Sequence, residues 1–177
     1  DAHAAVRAVP DIFRDDIQEK HLQLEVRLEA AQHHVRADYA RLQQMLWNLI
    51  KNAAKFTPER GRVAIRTANR ELDGAQRLRI EVSDSGIGIM PEKLSRLFTA
   101  FEQGGETVTR RFGGLGLGLA ITKALVEAHG GSVSAHSAGE GLGATFTLEL
   151  PAVAAPAING QSQPPATPAA QPHRLRI

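Results

Sequence analysis

Cysteine is absent from this chain of 177 residues. A chain without cysteine has no disulfides, no thiolate metal sites and no cysteine nucleophile, so three classes of site are excluded at once. The absence is also typical of a reducing, intracellular compartment. We therefore expect this protein in the cytoplasm.

The chain also lacks a strong net charge and a long apolar segment. It carries 21 Lys and Arg against 19 Asp and Glu, a formal net charge of +2, which does not favour nucleic-acid binding. No apolar run is long enough to cross a bilayer or to act as a signal peptide. The hydrophobic residues, 42% of the chain, suffice for one globular core and not for two large domains. We expect one main domain with no contact to nucleic acid or membrane.

No charged residue occurs in the segment 151–172. The segment PAVAAPAINGQSQPPATPAAQP is rich in Pro, Ala and Gln and has no apolar periodicity, a composition that cannot form a packed core. We therefore predict a folded domain at 1–151 and a disordered linker at 152–173. The last residues, 174–177, resume an alternating apolar pattern and start a further element.

Apolar periodicity predicts both helices and strands. A period near 3.6 predicts long helices at 37–57 and at about 114–129, and a weaker helical pattern at 2–20 is interrupted by Pro10. Alternation with period two predicts a strand at 22–28, a hairpin made of GRVAIRTANREL and QRLRIEVSDSG, and a closing strand pair within GSVSAHSAGEGLGATFTLELP. Because the strands come as hairpins without β-α-β alternation, we predict an α/β two-layer sandwich. Its sheet is mixed and mainly antiparallel, with helices packed on one face.

The predicted helix at 37–57 has two faces. Its apolar face carries Leu42, Leu46, Leu49, Ile50 and Ala53. On the roughly opposite side, within an arc of about 80°, lie Gln44, Asn48, Asn52 and Lys55. We expect this polar stripe to face away from the sheet. It is either an ordinary solvated surface or a site for Mg²⁺ and phosphate, because an amide oxygen is a hard neutral ligand and a lysine is a point charge.

The stretch VSDSGIGI, residues 82–89, has Asp84 at the end of a predicted strand, followed by Gly86 and Gly88. One interpretation is a plain turn, for which Asp and Gly are ordinary residues. The other is a base pocket, in which a buried carboxylate accepts a hydrogen bond from an exocyclic amine and the glycines let a flat ring approach the backbone. This stretch alone leaves both interpretations open.

Glycines and leucines are interleaved where the second long helix is predicted to begin. The glycines are Gly113, Gly114, Gly116 and Gly118, in the stretch RRFGGLGLGLA. A helix N-terminus has free amides and the positive end of the helix dipole, so a phosphate chain can lie against a turn without side chains. Neither a dinucleotide fold nor a P-loop fits, because the strand-turn-helix context and the GK[ST] signature are missing.

Five segments, in this order, resemble the N, G1, F, G2 and G3 boxes of the sensor histidine kinase catalytic domain. They are NLIKNAAKFTP at 48–58, DSGIGI at 84–89, LFTAFEQ at 97–103, GGLGLGLAI at 113–121 and GLGATF at 141–146. The resemblance covers nearly all of residues 5–151. It implies the Bergerat fold, an α/β sandwich shared with gyrase, chaperone and mismatch-repair ATPases. It also implies ATP and Mg²⁺ as cofactors.

The resemblance implies roles for individual residues. Asn52 resembles the Mg²⁺ ligand with Asn48 as its neighbour, and Lys55 resembles a phosphate contact; these three are the implied catalytic residues. Phe56 is implied to lie near the adenine, and Asp84 to accept the adenine amino hydrogen. The other implied nucleotide contacts are Gly86, Gly88, Ile89, Gly114, Leu115, Gly116, Leu117, Gly118, Leu119 and, closing the base pocket, Thr145.

Residues 102–113 resemble the mobile lid over the nucleotide. Arg110 or Arg111 would reach the γ-phosphate from this lid, and we take Arg111 as the contact. A solvated pair of arginines is the alternative. Phe98 and Phe101 are either a hinge for the lid or part of the core.

A phosphoacceptor helix is missing from the resemblance. In related kinases an upstream helix carries a histidine, an acidic residue and then Thr-Pro or Ser-Pro, and none of the seven histidines here has that context. The implied reaction is transfer of the ATP γ-phosphoryl group to a histidine on a separate dimerisation domain. We expect the fragment alone to bind ATP without phosphorylating itself.

Two alternatives to the kinase hypothesis stay open. The first is an ATPase of the same superfamily. Such enzymes carry a Glu as water-activating base where this chain has Asn48, and an amide cannot take a proton. The second is a non-catalytic nucleotide-sensing or interaction module, which would keep the fold without the transfer.

The closing letters HRLRI resemble the opening of the first strand of a receiver domain. Such a strand begins with a basic residue and alternating apolar residues ahead of an acidic pair. We therefore predict a hybrid kinase. Its phosphoacceptor partner would be its own receiver domain or a separate response regulator.

Overall fold

The computed structural model describes residues 1–100 and 116–156. Predictions that fall on 101–115 or 157–177 lie outside these residues. They concern the lid, Phe101, Arg110, Arg111, Gly113, Gly114, Leu115, most of the predicted linker and the receiver-like end.

Three short helices begin the chain, where the sequence predicted one interrupted helix. They are α1 at Ala2–Arg7, α2 at Val9–Ile12 and α3 at Arg14–Glu19. Pro10 lies in the first turn of α2, where its missing N–H breaks no helical hydrogen bond. Val6 is fully buried and Phe13 is 3% exposed. These first residues are therefore part of the folded core.

Within the described residues, six strands form one sheet. They are β1 at Gln23–Leu28, β2 at His34–Val35, β3 at Arg62–Leu72, β4 at Ala75–Asp84, β5 at Ser132–His136 and β6 at Ala144–Val153. The order is β1-β3-β4-β6, and β5 and β2 both pair with β6. β1 and β3 run parallel, whereas the other pairs in the described ranges are antiparallel. The predicted mixed, mainly antiparallel sheet is confirmed.

The longer helices, α4 at Tyr39–Phe56 and α6 at Gly118–Ala128, pack on one face of the sheet, and a short α5 at Pro91–Leu94 comes between them in sequence. α4 begins at its N-cap Asp38, whose carboxylate accepts a hydrogen bond from a first-turn N–H. α6 begins later than predicted. Gly116 has a left-handed backbone, with φ of +69°, which an α-helix does not allow. Leu117 is the N-cap, so the helix begins at Gly118.

Every second residue of β4 and of β6 points into the core. The register pairs Leu78 with Leu150, Ile80 with Leu148 and Val82 with Phe146, all at most 5% exposed. The predicted apolar face of α4 lies in the same core, with exposure of 2% or less for Leu42, Leu46, Leu49, Ile50 and Ala53. Burial of apolar area contributes about 25 cal/mol per Å², so this layer is the main source of stability.

Strand β6 extends past the predicted domain boundary at 151. Ala152 and Val153 pair with Val35 and His34 of β2. A strand of two residues leaves no periodic pattern in a sequence, so this pairing was not predictable from alternation. The first two residues of the predicted linker therefore belong to the sheet.

Candidate functional site

The carboxyl end of α4 is held by a lysine from the end of α3. Lys20 Nζ donates to Ala54 O at 2.8 Å and to Lys55 O at 2.9 Å. A longer bond of 3.2 Å reaches Thr57 O. The last carbonyl groups of a helix have no partner within it, and an ammonium group also suits the negative end of the helix dipole. Sequence reasoning missed Lys20, because no pattern relates it to α4.

Asn48 lies between two helices and not on a solvated face. The residue is 9% exposed, and its Nδ2 donates to Gly118 O and to Thr122 Oγ1, both at 3.1 Å. Thr122 Oγ1 in turn donates to Gly118 O at 2.9 Å. Of the two interpretations of the polar stripe, the solvated surface does not hold for Asn48, because the residue is buried. Its side chain joins α4 to the first turn of α6.

Asn52 and Lys55 follow on α4, and both are half-buried. Within the described ranges no hydrogen bond involves the Asn52 amide, so its oxygen is available to a ligand. Lys55 Nζ lies 5.0 Å from the centre of the Phe56 ring. Burial, and after it the charge of Lys51, lowers the pKa of Lys55. An anion beside Lys55 would favour the charged ammonium and offset both effects.

Asp84 ends β4, and backbone N–H groups hold its carboxylate in place. Gly86 N donates to Asp84 Oδ1 at 2.8 Å, and Ala144 N donates to the same oxygen at 3.3 Å. No residue in the described part of the chain donates to Oδ2. Burial raises the pKa of Asp84, although both N–H bonds act in the opposite direction. One fixed oxygen and one open oxygen suit this carboxylate to accept a hydrogen bond from a ligand amine.

Gly86 brings the loop after β4 against the end of α4. A Cβ at this position would lie 2.5 Å from Phe56 O and 2.7 Å from Asp84 Oδ1, closer than real Cβ atoms come. Ile87 N donates to the same Phe56 O at 3.2 Å. Glycine is required at this contact, which brings Phe56 and Asp84 into one part of the fold.

A second glycine loop, residues 137–143, packs against the first. Gly143 has a left-handed backbone with φ of +69°, and a Cβ there would overlap Asp84 O. Gly88, also at φ of +69°, lies against Gly139 O in the same way. Two chain segments thus approach backbone to backbone, which only glycine permits.

Ser137 joins these two glycine loops. Its Oγ donates to Gly143 O at 2.6 Å and accepts from Ile89 N at 3.0 Å. The residue is 8% exposed. Sequence reasoning missed it, because a serine near glycines is an ordinary turn residue and carries no further signal. Ile89 is therefore fixed through its backbone by the second loop.

Thr145 does not lie beside Asp84. The register pairs Asp84 with Ala144 and Ser83 with Thr145, and successive residues of a strand point to opposite faces. Thr145 Oγ1 lies 2.9 Å from Ser83 Oγ. The structure brings Ala144 to Asp84 in place of Thr145, which differs from the role that the resemblance implied.

Only part of the predicted phosphate-binding stretch belongs to the described residues. Gly116 is left-handed, Leu117 is the N-cap of α6, and Gly118 begins the helix. Leu119 packs against the hydrophobic core. The first N–H groups of α6 have no helical partners, so they can bind an anion. The other residues of the prediction, Arg111, Gly114 and Leu115, lie outside the described ranges.

The end of α4, the end of β4 and the start of α6 are thus connected around one region. Gly86 links the first two, and Asn48 links α4 to α6. Asp84 offers a carboxylate oxygen to an amine, and Asn52 offers an amide oxygen to a cation. For anions the region has the Lys55 ammonium group and, separately, the first backbone N–H groups of α6. This combination suits a purine nucleotide with its metal ion.

Comparison with known proteins finds relatives of this chain. Residues 37–154 match the family model described as histidine kinase-, DNA gyrase B- and HSP90-like ATPase. The chain is 47% identical over 127 residues to the sensor histidine kinase AruS of Pseudomonas aeruginosa. That alignment covers 71% of this chain and 12% of AruS, so the chain spans about an eighth of that relative.

Solved structures share the fold. Full-length ShkA in complex with AMPPNP matches with a TM-score of 0.71 at 34% identity, covering 88% of this chain and 31% of that one. The nucleotide-free catalytic domain of the histidine kinase ThkA also gives 0.71, at 26% identity, covering 85% of this chain and 93% of that one. ThkA matches again in its complex with the response regulator protein TrrA, with a TM-score of 0.67 at 26% identity, covering 85% and 40%.

The helices of the described ranges differ from membrane spans in length or composition. None of those in 1–100 and 116–156 is both long and apolar enough to cross a bilayer.

Proposed function

Because the chain belongs to the histidine kinase-, DNA gyrase B- and HSP90-like ATPase family, as an ATP-binding domain of the sensor histidine kinase type, we propose that it transfers the γ-phosphoryl group of ATP to a histidine nitrogen. That histidine belongs to a separate dimerisation domain of the full-length kinase. The chain corresponds to 12% of AruS, so the acceptor and the sensing parts are assigned to other segments of the parent protein. The reaction is an in-line transfer that depends mostly on positioning.

The observation that supports this proposal most is the arrangement of Asp84. Its Oδ1 is fixed by the Gly86 and Ala144 N–H groups, and Oδ2 is open to a ligand. The adenine 6-amino group is a donor that such an oxygen accepts, whereas guanine has a carbonyl at this position and would face the carboxylate with a second acceptor. We therefore expect ATP to bind and GTP to bind poorly.

The α4 side chains fit Mg²⁺ bound together with phosphates. Asn52 offers an amide oxygen that no described residue uses, and Lys55 follows three residues later with its ammonium group. Mg²⁺ prefers few protein oxygens, with phosphates and waters completing its shell. When bound, Mg²⁺ would neutralise charge on the phosphates. Asn52 would orient the phosphate chain through this ion, and Lys55 would bind a phosphate directly.

Asn48 disfavours ATP hydrolysis as the main activity. An amide cannot accept a proton from water, and its Nδ2 is engaged by Gly118 and Thr122. A superfamily ATPase would need a carboxylate at this position. Asn48 is therefore assigned a positioning role, as the link between the helix of Asn52 and the start of α6.

The remaining nucleotide contacts are proposed on the backbone. The N–H groups of Gly116, Leu117, Gly118 and Leu119 lead into or form the first turn of α6, and they would bind phosphate oxygens there. The preceding residues Gly114 and Leu115 would continue this contact. Arg111 of the lid would reach the γ-phosphate and shield it from water, and Gly88 and Ile89 would form the floor of the base pocket.

The partners follow from the same assignment. The solved complex of ThkA with the response regulator TrrA supports a response regulator, or a receiver domain of the same chain, as the next phosphoacceptor. The absence of cysteine and the ATP requirement agree with a cytoplasmic location, which we propose for this domain.

The test is phosphoryl transfer in trans. The purified chain is incubated with γ-labelled ATP and Mg²⁺, with and without the histidine-containing dimerisation domain of its full-length kinase. We expect acid-labile label on the added domain and none on the chain alone. Asn52→Ala should remove the Mg²⁺ dependence of ATP affinity and abolish the transfer. An added domain with its acceptor histidine changed to Gln serves as the control and should stay unlabelled.

Three outcomes would contradict the proposal, and each points elsewhere. Label on the chain's own histidines at the rate of an intact kinase would put the acceptor inside this chain. Rapid phosphate release without transfer would indicate an ATPase. Tight ATP binding with neither transfer nor hydrolysis would indicate a nucleotide-sensing module.

A further inference from the structure

Two histidines and an aspartate meet where α1 and β2 begin. Asp1, His33 and His34 each offer one ligand atom, and these atoms all lie within 4.8 Å of one another. We propose that this cluster binds a divalent cation of borderline softness, Zn²⁺ above all. Imidazole nitrogens together with one carboxylate are ligands that suit this class of metal.

The proposed zinc site is far from the nucleotide site. His34 pairs with Val153 at one end of β6, and Asp84 pairs with Ala144 at the other end, nine residues away. At about 3.3 Å per residue the two sites are about 30 Å apart. The proposed ion is thus distinct from the Mg²⁺ that accompanies ATP, and its binding does not depend on the proposed kinase function.

The spacing of the ligand atoms is close to that of a zinc site. Two ligands at 2.0–2.1 Å from a tetrahedral ion are about 3.3–3.4 Å apart. His33 Nε2 and Asp1 Oδ1 are 3.6 Å apart, within a few tenths of an ångström of this value. The His34 ligand atom lies within 4.8 Å of the other two, so it reaches the same spacing by a shift of up to roughly 1.6 Å, which side-chain rotation provides.

A third histidine positions the His33 ring. His3 Nε2 is hydrogen-bonded to Thr67 Oγ1 at 2.8 Å, so its role is structural. The His3 ring lies flat on the His33 ring, with centroids 4.1 Å apart and planes within 5°. His33 has no comparable bond: its Nδ1 is buried without a hydrogen-bond partner among the described residues, and its Nε2 faces Asp1. The His33 ring is oriented by packing and leaves its bonding capacity to a ligand.

The Arg7 guanidinium lies near the site, and it does not block the metal. Arg7 forms an ion pair with Asp1 Oδ2 at 3.8 Å, but its side chain is 59% exposed and can move into solvent. Asp1 Oδ1 also accepts from Ala4 N at 3.0 Å, which fixes the carboxylate as the cap of α1. Three protein ligands leave one position for water, so we expect an exchangeable ion.

Metal binding would strengthen the connection between α1 and the sheet. Ala2 N donates to His33 O at 3.0 Å, and this backbone bond already joins the two segments. A metal held by Asp1, His33 and His34 adds a second connection at the same point. Zn²⁺ should therefore raise the melting temperature of the chain, because it binds the folded form.

The experiment uses the full chain extended by a short N-terminal Gly-Ser segment, so that no free α-amino group adjoins Asp1. After treatment with chelator and buffer exchange, ZnCl₂ is titrated calorimetrically, and MgCl₂ is titrated in parallel. We expect one Zn²⁺ per chain, no comparable binding of Mg²⁺, and a loss of at least tenfold in Zn²⁺ affinity for His33→Gln and for His34→Gln. His136→Gln, which changes an exposed histidine on β5, is the matched control and should leave the affinity unchanged.

The ATP affinity of each variant serves as a check that the domain is folded. If a histidine variant fails this check, Asp1→Asn, which changes an exposed side chain, takes its place and should also weaken Zn²⁺ binding. Absence of Zn²⁺ binding to the wild-type chain would overturn the proposal. So would an affinity that these variants leave unchanged, or one that falls equally in His136→Gln.

Discussion

The Asn48 amide and the Thr122 hydroxyl meet at 3.1 Å across the contact between α4 and α6. Both residues are buried, and Gly118 O accepts from both side chains. Superfamily ATPases carry a catalytic Glu where this chain has Asn48. In this chain Asn48 is part of a structural link. This link holds the helix that carries Asn52 against the turn that carries the free N–H groups of α6.

Thr122→Val should weaken this link without changing the shape of the side chain. The hydroxyl is lost, Asn48 Nδ2 keeps only Gly118 O, and the free energy of unfolding should fall by about 1–2 kcal/mol. Thr147→Val is the control, because Thr147 is also buried and has no side-chain hydrogen bond in the described ranges. This variant should lower the free energy of unfolding by no more than about 0.5 kcal/mol. Urea denaturation measures both. Equal losses would show that the bond to Asn48 contributes nothing specific.

Lys20→Met should loosen the end of α4. The substitution keeps an unbranched side chain and removes the donor to Ala54 O, Lys55 O and Thr57 O, so we expect a loss of about 1–3 kcal/mol in unfolding free energy. ATP affinity should fall as well, because Lys55 and Phe56 lie in the turn that Lys20 fixes. Lys123→Met removes an exposed lysine whose contact with Glu127 is 3.9 Å, and it should cost less than about 0.5 kcal/mol. An unchanged ATP affinity in Lys20→Met would separate the cap from the site.

ATP affinity should depend on pH through Asp84. The ionised carboxylate of Asp84 accepts a hydrogen bond from the adenine amine, whereas the protonated form carries an O–H donor of its own. ATP affinity should therefore fall as the pH falls through the pKa of Asp84, which is raised above the usual value of about 3.9. The effect of pH on stability has the opposite direction. Because the folded chain binds the Asp84 proton more tightly than the unfolded chain, the contribution of Asp84 to stability decreases as pH rises from its unfolded-state pKa to its folded-state pKa.

Asp84→Asn separates these effects. ATP binding should weaken by about 1–3 kcal/mol, because the amide loses or misplaces an acceptor in a desolvated site. The pH dependence of ATP affinity should disappear with the carboxyl group. Calorimetry from pH 4 upward would measure both quantities. Equal affinities of the wild-type chain for ATP and GTP would exclude Asp84 from the base pocket.

Gly143→Ala tests whether the two glycine loops must touch. An added Cβ would overlap Asp84 O and would also sit at a left-handed backbone position, so the loss should exceed about 2 kcal/mol and ATP binding should fail. Gly74→Ala is the matched control, since Gly74 has φ of +73° and open space around its Cβ. Gly74→Ala should lower the free energy of unfolding only by the backbone strain, about 1 kcal/mol. Similar losses in both variants would mean that strain alone, and not the close approach to Asp84, explains Gly143.

The fold was largely predictable because its elements carry strong periodic patterns. The apolar face of α4 and the alternation of β3, β4 and β6 are visible in the sequence and are buried as expected. The two-residue strand β2 and the division of the first 20 residues into three helices were not predictable. Such short elements owe their conformation to tertiary contacts, and local propensity does not specify them.

Asp84 and Gly86 could be named as site candidates from the sequence, because a carboxylate followed by glycines is one pattern from which a base pocket is built. The Gly86 N–H donates to Asp84 Oδ1, a contact that a plain turn also contains, so the base pocket stays a prediction. Asn48, Lys20 and Ser137 depend on partners 70, 34 and 6 residues away in the chain, and such partners appear only when the backbone is folded. Thr145 shows the same limit: one step of strand register decides which of two neighbouring side chains faces Asp84.

The family match starts at residue 37, but the structural unit starts earlier. Val6, Phe13 and Leu22 belong to the core, Lys20 holds the end of α4, and β1 pairs in parallel with β3. A chimeric kinase that fused a foreign sensor at residue 37 would remove a strand, part of the core and a helix cap together. The fusion junction has to come before α1 if the transplanted domain is to keep its nucleotide site, and the start of the family match at residue 37 is therefore the wrong guide for building such chimeras.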